Sequence, residues 1–349
     1  MKRSISDGSG EPRRATRRDD VGRLAGVSTA TVSRVYNRPE TVSAEKREAV
    51  LDAAEKLGYQ PNREASALRR MDGAQILVLE LKRAAANYWT DVRAYSWFFA
   101  DAIRAIVTTL HGSLYYMTLD TWHVEENLED IISKHRPAGI ICFDVETIGE
   151  AESIRALGLP YVLSWHVATF NGFNRVISDN YHGGYLAGEC LKNAGCARPV
   201  YVTGRSYNPE VHRSRMRGFC DAMAPDRVSI ANAGLGKDAG FACGRELAVR
   251  VRDGGIDAVG VVNDITALGV AQGLMESGIR IPDDVSLVGY DNMPVNIALP
   301  FRLTTVDIGI DEIYTKATNA LLGLLKGEEH VELYHPPRLL PGDSVAFPE

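Results

Sequence analysis

From Val21 to Asn37 the chain reads V-G-R-L-A-G-V-S-T-A-T-V-S-R-V-Y-N, and its apolar residues keep helical spacing in two short blocks. Val21, Leu24 and Ala25 form the first block, Gly26 interrupts it, and Ser28 is of the type that caps a second helix. In that second helix Val32 and Val35 point one way and leave Thr29, Ala30, Ser33 and Arg34 on another face. Two short helices joined by a tight turn are predicted, with an outward face of the kind that lies in a DNA major groove. Pro39 ends the pattern, and Ser43 is placed to cap a third helix carrying Val50, Leu51, Ala54 and Leu57 before Gly58 stops it. Three helices in so short a stretch can bury one small core. Pro61 terminates this head. Asn62 then caps R-E-A-S-A-L-R-R, which has too few apolar residues to be a stable helix unless a partner orders it.

From Gln75 onward the texture changes to short apolar runs that alternate with helical periodicity: ILVLEL, AIRAIVTTL, SLYYMTL, NLEDIISKH, AGIICFD. The alternation continues through PYVLSW, GGYLAGECLKNAG, PVYVTG, RMRGFCDAM, DAVGVVN, TALGVAQGLMESG and VSLVGYD. It closes with LTTVDI, a helix near EIYTKATNALLGLL and a Pro-rich tail. Strands alternating with helices imply βαβ units and parallel sheets. This many units exceeds one small doubly wound domain, so two α/β halves with a ligand cleft at the carboxyl ends of their strands are predicted.

Composition narrows the class without deciding it. The 349 residues suggest two or three domains, 45% hydrophobic and 24% charged residues are ordinary for a globular protein, and no apolar run approaches the length of a membrane span. The net charge of -6 hides an asymmetry: residues 1–70 carry 15 Lys and Arg against 10 Asp and Glu, the remainder 24 against 35. A basic head on an acidic body points to a polyanion partner for the head alone. Residues 1–15 read as a disordered basic tail, and the first twenty lack the apolar core of a secretory signal. The five cysteines, Cys142, Cys190, Cys196, Cys220 and Cys243, form no CxxC pair, which fits a reducing cytoplasm and no metal site. No leucine heptads follow the last helix, so a tetramer built on a C-terminal coiled coil is not expected.

Catalytic signatures are missing. HExxH, GxSxG and the phosphate-binding GxxxxGK[ST] do not occur, and the glycines of G-L-G-K-D-A-G at Gly234 are misspaced for a dinucleotide loop, so that stretch reads as a plain loop. An α/β enzyme acting on a sugar or nucleotide would leave the head unexplained, and a transported solute-binding protein would need an export signal. Neither would bind duplex DNA with steep salt dependence. No cofactor is expected.

The head resembles that of the lactose-repressor and galactose-repressor (LacI/GalR) family of bacterial transcription regulators. The likeness rests on D-V-G-R-L-A-G-V-S-T-A-T-V-S-R-V-Y-N from Asp20, V-S-A-E-K-R-E-A-V-L-D-A-A-E-K-L-G-Y from Val42 and Q-P-N-R-E-A-S-A-L-R-R from Gln60. The body is similar to that family's core through R-S-R-M-R-G-F at Arg213, V-N-D-I-T-A-L-G at Val262, I-P-D-D-V-S-L-V-G-Y-D-N from Ile281 and L-T-T-V at Leu303. The resemblance implies a helix-turn-helix head over residues 16–61 and a hinge helix and linker over 62–73. A periplasmic-binding-protein-like core of two Rossmann-like subdomains then fills 74–349. It implies a homodimer on a near-palindromic operator, and a repressor controlled by a small polar effector, a sugar or sugar derivative, in the interdomain cleft.

Carried over position by position, base readout falls on Thr29, Ala30 and Arg34, with Ser28, Thr31, Ser33, Asn37 and Asn62 as further DNA contacts and Leu68 as an apolar wedge in the minor groove. The chemistry is sound on its own terms, since Arg bonds guanine doubly, Thr bonds base edges or touches a thymine methyl, and Ala offers apolar contact. A wedge costs unstacking and recovers it from the bent duplex. The effector positions fall on Arg215, Asp291 and Asn263, with Asp179 a further candidate against a helix-cap role, and an Arg215–Asp291 ion pair between the halves without ligand is the competing arrangement. Departures from the family pattern cluster at this cleft. A longer aromatic segment places Tyr88, Trp89, Tyr95 and Trp97 after the first strand, Leu235 stands where an aromatic often stacks on the effector, and Trp165 replaces a polar residue. Trp165 and Tyr95 are therefore candidate stacking surfaces, with core packing as the competing role. In the head, Gly22 replaces the usual Ala, at about 1 kcal/mol of helix propensity.

Overall fold

The computed structural model describes residues 18–37, 41–57, 59, 74–82, 92–164, 171–204, 209–294 and 298–347. The chain divides into two compact units, Met1–Asp72 and Gly73–Glu349.

The first unit contains α1 (Arg18–Leu24), α2 (Thr29–Asn37) and α3 (Ala44–Lys56). Val21, Val32, Val35, Val50, Ala53 and Ala54 form its buried core, with Ala25, Val27, Tyr36, Val42, Leu57 and Tyr59 packed around them. Two expected core residues lie outside it. Leu24 is 53% and Leu51 48% exposed. Val21 on α1 and Ala25 just past its end stand one turn apart on the inner side, so Leu24 falls beside that stripe, and in α3 the stripe runs through Val50, Ala53 and Ala54 to Leu57 at the C-cap. Gly26 makes the turn between α1 and α2 with φ +66°, a backbone conformation that L side chains rarely adopt. The Ser28 hydroxyl accepts from the Thr31 amide at 3.2 Å and caps α2, whereas Ser43 occupies the N-cap of α3 without a side-chain capping bond. Gly22 carries more than a propensity cost: a Cβ there would stand 2.9 Å from the Val27 carbonyl oxygen, so α1 and the turn pack through its bare backbone.

The second unit is built on two parallel sheets. The larger joins β1 (Gln75–Lys82), β2 (Tyr116–His123), β3 (Gly139–Phe143), β4 (Tyr161–Ser164), β5 (Arg175–Ser178) and β11 (Glu332–His335) in the order β11-β5-β4-β3-β1-β2. Alternation along β1 sends Ile76 and Val78 into one core and Leu77, Leu79 and Leu81 into another, as befits a sheet covered on both faces. The smaller sheet has the order β7-β6-β8-β9, from β6 (Pro199–Thr203), β7 (Ser229–Asn232), β8 (Ala258–Val261) and β9 (Ser286–Val288). β10 (Thr305–Asp307) pairs antiparallel with β12 (Arg338–Leu340). The helices are α4 (Val92–Leu110), α5 (Leu128–His135), α6 (Ile148–Ala156), α7 (Asn180–Asn193), α8 (Pro209–Met223), α9 (Lys237–Arg252), α10 (Asp264–Glu276) and α11 (Ile310–Leu324).

The architecture is the expected pair of Rossmann-like α/β halves. Several elements are corrections to the reading of the sequence. β5, β7 and α6 were not anticipated, the stretch after Gly234 becomes helix α9 from Lys237 rather than a loop throughout, and the Pro-rich tail supplies both β11 and β12. Through β11 the end of the chain returns to the edge of the first sheet, pairing Glu332–His335 with Arg175–Ser178.

Candidate functional site

On the head, the buried stripe of α2 turns its other side to solvent. Thr29, Ala30 and Arg34 are exposed, while Thr31 and Ser33 are half-buried. Two hydroxyls on this face have local work: besides capping, Ser28 Oγ lies 2.9 Å from Thr31 Oγ1. No acidic residue occupies the first turn of α2, so its N-terminal N–H groups and Arg34 present one sign of charge. Asn37 ends α2, and its side chain lies outside the described residues, as do Asn62, Leu68, the tail over 1–15 and the linker over 62–73.

In the body, α7 and α8 cross at bare backbone. A Cβ on Gly184 would stand 1.9 Å from the Arg215 carbonyl oxygen, and one on Gly218 would stand 2.0 Å from that of Tyr181, so only glycine allows this approach. The crossing delivers Arg215 to the start of α7. Its Nε donates to Asn180 Oδ1 at 2.9 Å, its Nη1 donates to the Val262 carbonyl at 2.9 Å, and its Nη2 stands 3.0 Å from Asp291 Oδ1. The guanidinium also lies 3.9 Å over the Tyr290 ring, and its side chain is only 4% exposed.

Asp291 sits just after β9 with φ +101°, a sparsely populated conformation for a residue with a side chain. Burial pushes its carboxyl up to about 6, against the pull of Arg215. Asp264, fully buried at the start of α10, is raised well above the usual carboxylate range by burial and then by the Asp291 charge. Its oxygens accept from the Thr305 hydroxyl at 2.7 Å and the Met293 amide at 2.8 Å, which ties the start of α10 to β10 and to the segment that follows β9. His212, one turn before Arg215, is pushed down to about 3 by burial and by the arginine, so it is neutral.

Two cavities flank the Arg215–Asp291 pair. One, on the arginine side, has an interior of only about 20 Å³, room for a water molecule. Phe98 from α4, Val211 from α8 and Ile308, Ile310, Ile313 and Tyr314 around the start of α11 form most of its wall, with Ile177 and Ser178 from the end of β5 and Asn180. The other, on the aspartate side, holds about 250 Å³ and is acidic, with Asp101, Asp307, Asp311 and Glu312 beside Asp291 and Trp97. Those four carboxylates are partnered. Arg104 reaches Asp101 at 2.8 Å and Asp311 at 3.2 Å, and Arg338 reaches Asp307 at 3.1 Å and Glu312 at 3.0 Å.

The structure thus brings Arg215 and Asp291 together as an ion pair and engages two of the other effector candidates in helix caps. Asn263 is a buried N-cap, its Oδ1 accepting from the Thr266 amide at 3.0 Å, and Asp179 caps α7 by accepting from the His182 amide at 3.0 Å. Leu235 packs half-buried against the core and lines neither cavity. Tyr95 falls on α4, its side chain outside the described residues, and Trp165 lies outside them altogether, with Tyr88 and Trp89. Asn180, Tyr290 and the isoleucine wall were missed. The signal for Asn180 was one residue away in I-S-D-N: the aspartate caps the helix and the asparagine next to it holds the arginine.

Among the described residues no helix is long and apolar enough to cross a membrane, and no group of three or more His, Cys, Asp or Glu is placed to hold a metal ion. Residues 19–62 match the bacterial regulatory proteins of the lacI family, and residues 189–345 match the periplasmic binding protein-like domain. The HTH-type transcriptional repressor PurR of Vibrio cholerae serotype O1 (strain M66-2) is 28% identical over 322 residues, 89% of this chain and 92% of that protein. The repressor of the same name from Histophilus somni (strain 129Pt) is 29% identical over 343 residues, 93% and 98% of the two chains. Among solved structures, the transcriptional regulator CelR in complex with cellobiose is 26% identical, with a TM-score of 0.66 over 94% of this chain and 99% of that one. The lac repressor dimer bound to operator and the anti-inducer ONPF shares the fold at 23% identity, with a TM-score of 0.72 over 95% of this chain and 99% of that one. The chain thus joins a lacI-family DNA-binding regulatory domain at residues 19–62 to a periplasmic binding protein-like domain at residues 189–345, the composition of a LacI-type transcriptional regulator.

Proposed function

We propose that the chain is a sequence-specific repressor that binds a near-palindromic operator as a homodimer and is controlled by a small molecule held in the body cleft beside Arg215. The observation that carries the reading is the split character of α2. Val32 and Val35 fix it to a three-helix core, while Thr29, Ala30 and Arg34 stand exposed on a face without acidic residues. Arg34 supplies the bidentate contact to a guanine, Thr29 a base-edge or thymine contact, and Ala30 an apolar one. Leu68 is assigned the minor-groove wedge and Asn62 a backbone contact in the hinge. Such a protein works in the compartment that holds the DNA, so a cytoplasmic location goes with the reading.

Control follows from the position of the ion pair. Arg215 lies on α8 of one half, and the cavity wall opposite it comes from Phe98 and Ile177 of the other, so a ligand there changes how the halves meet. Ligand binding alters operator affinity only by its preference between the two arrangements, typically 1–3 kcal/mol in such couplings. Anisotropy titration of a labelled duplex with the full-length chain at several salt concentrations tests the DNA function. A log–log slope of several charges is expected. Duplex binding that is undetectable at low salt would overturn the reading in favour of an enzyme or a solute-binding protein.

A further inference from the structure

The lining of the arginine-side cavity does not suit the sugar that the family resemblance leads one to expect. A sugar carries hydroxyls around its whole ring, and each one buried without a partner costs binding free energy. Here the side chains of Phe98, Val211, Ile308, Ile310 and Ile313 supply no hydrogen-bonding groups. The polar groups are confined to Arg215, Asn180 and two hydroxyls. Asn180 Oδ1 is already engaged by Arg215. By contrast Ser178 Oγ is buried without a hydrogen-bond partner, in a residue 9% exposed. Arg215 spends one N–H each on Asn180, Val262, Asp291 and the Tyr290 hydroxyl, which leaves one of the guanidinium N–H groups over. Each of the unspent groups can donate, and they stand beside apolar side chains.

The charge is arranged with the same polarity. Arg215 lines this cavity while its counter-ion Asp291 lines the other one, so the side facing the isoleucines is the cationic side. An aromatic ladder closes the back: Phe98 meets Tyr314 edge-on at 5.9 Å, and Tyr314 stacks on Phe143 at 4.7 Å. We infer that the effector is a compact monocarboxylic acid with an aromatic or branched aliphatic body. Its carboxylate is received by Arg215 and Ser178, and its body lies among Phe98, Ile308, Ile310 and Ile313. The present interior of about 20 Å³ has no room for it, so the acid enters by parting the two halves that supply the wall. This rests on reading the cleft as the effector site and replaces the sugar by a different chemical class.

Thermal melting of the full-length chain tests it, with benzoate, 3-methylbutanoate and 4-methyl-2-oxopentanoate in one arm and ribose, cellobiose and adenine in the other. At least one acid at saturation is expected to raise Tm by about 5 °C, with sugars and base inert. Ser178→Ala is expected to weaken that acid about tenfold while melting unchanged without it, which controls for folding. No shift from any of the acids, or a shift from a sugar or base alone, overturns the assignment. The failure of the regulator reading looks different: the acid binds and Ser178→Ala weakens it, yet affinity for a selected duplex does not change with acid present.

Discussion

Arg215→Met removes the one side chain on which the cleft converges, and its cost can be worked from the contacts. The substitution keeps most of the buried stem and deletes the bonds to Asn180 and Val262, the 3.0 Å ion pair with Asp291 and the cation over the Tyr290 ring. Removing one partner of a buried pair usually costs about 3–5 kcal/mol, because the other is left as an uncompensated charge. Asp291 limits that penalty. Its carboxyl is already pushed up to about 6 with the arginine beside it, so without the arginine it rises further and takes a proton near neutral pH. A loss of about 3 kcal/mol at pH 7 is therefore expected. The sign of the pH effect follows: the folded state holds the proton more tightly than the unfolded chain, whose carboxyl titrates near its ordinary value of about 4. Protonation thus stabilises the fold, and the deficit of Arg215→Met shrinks as pH falls from 7 to 5. The double variant Arg215→Met/Asp291→Asn lacks the stranded charge and should lose about 1–2 kcal/mol less than the two single losses together. Urea unfolding of the body, followed at pH 5 and 7 for the four proteins of this cycle, measures all three quantities. A loss under about 1 kcal/mol, a deficit that grows on acidification, or strict additivity would refute the reasoning.

Three further outcomes are expected. Asn263→Ala should cost about 1 kcal/mol of body stability through loss of the α10 cap while Asn263→Ser retains most of it, since a serine hydroxyl accepts from the same amide; equal losses in urea melts would contradict the capping role. Gly184→Ala places a methyl 1.9 Å from the Arg215 carbonyl and should destabilise the body by about 2 kcal/mol or more, despite its better helix propensity; a stabilised variant would show that α7 and α8 are not in backbone contact. Val32→Asp puts a charge into the head core and should abolish duplex binding while leaving the melting of the body within about 1 °C, measured by anisotropy and calorimetry; retained DNA binding would contradict the three-helix core.

Which features were legible follows from how much each depends on local pattern. The head was, because Val21, Val32, Val35 and Val50 recur at helical spacing and Gly26 marks the turn. Leu24 and Leu51 went astray because an apolar residue beside a stripe looks the same in sequence as one within it. β5 and β7 are four-residue strands containing Arg175, Ser229 and Asn232, with no apolar run to announce them. β11 hides behind prolines and exposes Glu332, Leu333 and Tyr334, so only its pairing with β5 reveals it. The cleft was half legible. Arg215 and Asp291 came from the family resemblance, since no periodicity links residues so far apart in the chain. The wall that closes the cavity comes from four separate stretches of the chain, and its apolar side chains come together only when these are assembled.

The most direct test of the central claim, that α2 reads DNA through its exposed face, is selection from a random duplex library with the full-length chain and with Arg34→Ala. The wild type is predicted to enrich one near-palindromic sequence. The variant is predicted to bind the same core with preference lost at one symmetry-related base pair, a discrimination of about 1–3 kcal/mol. Unchanged preference at every position in the variant would contradict the account.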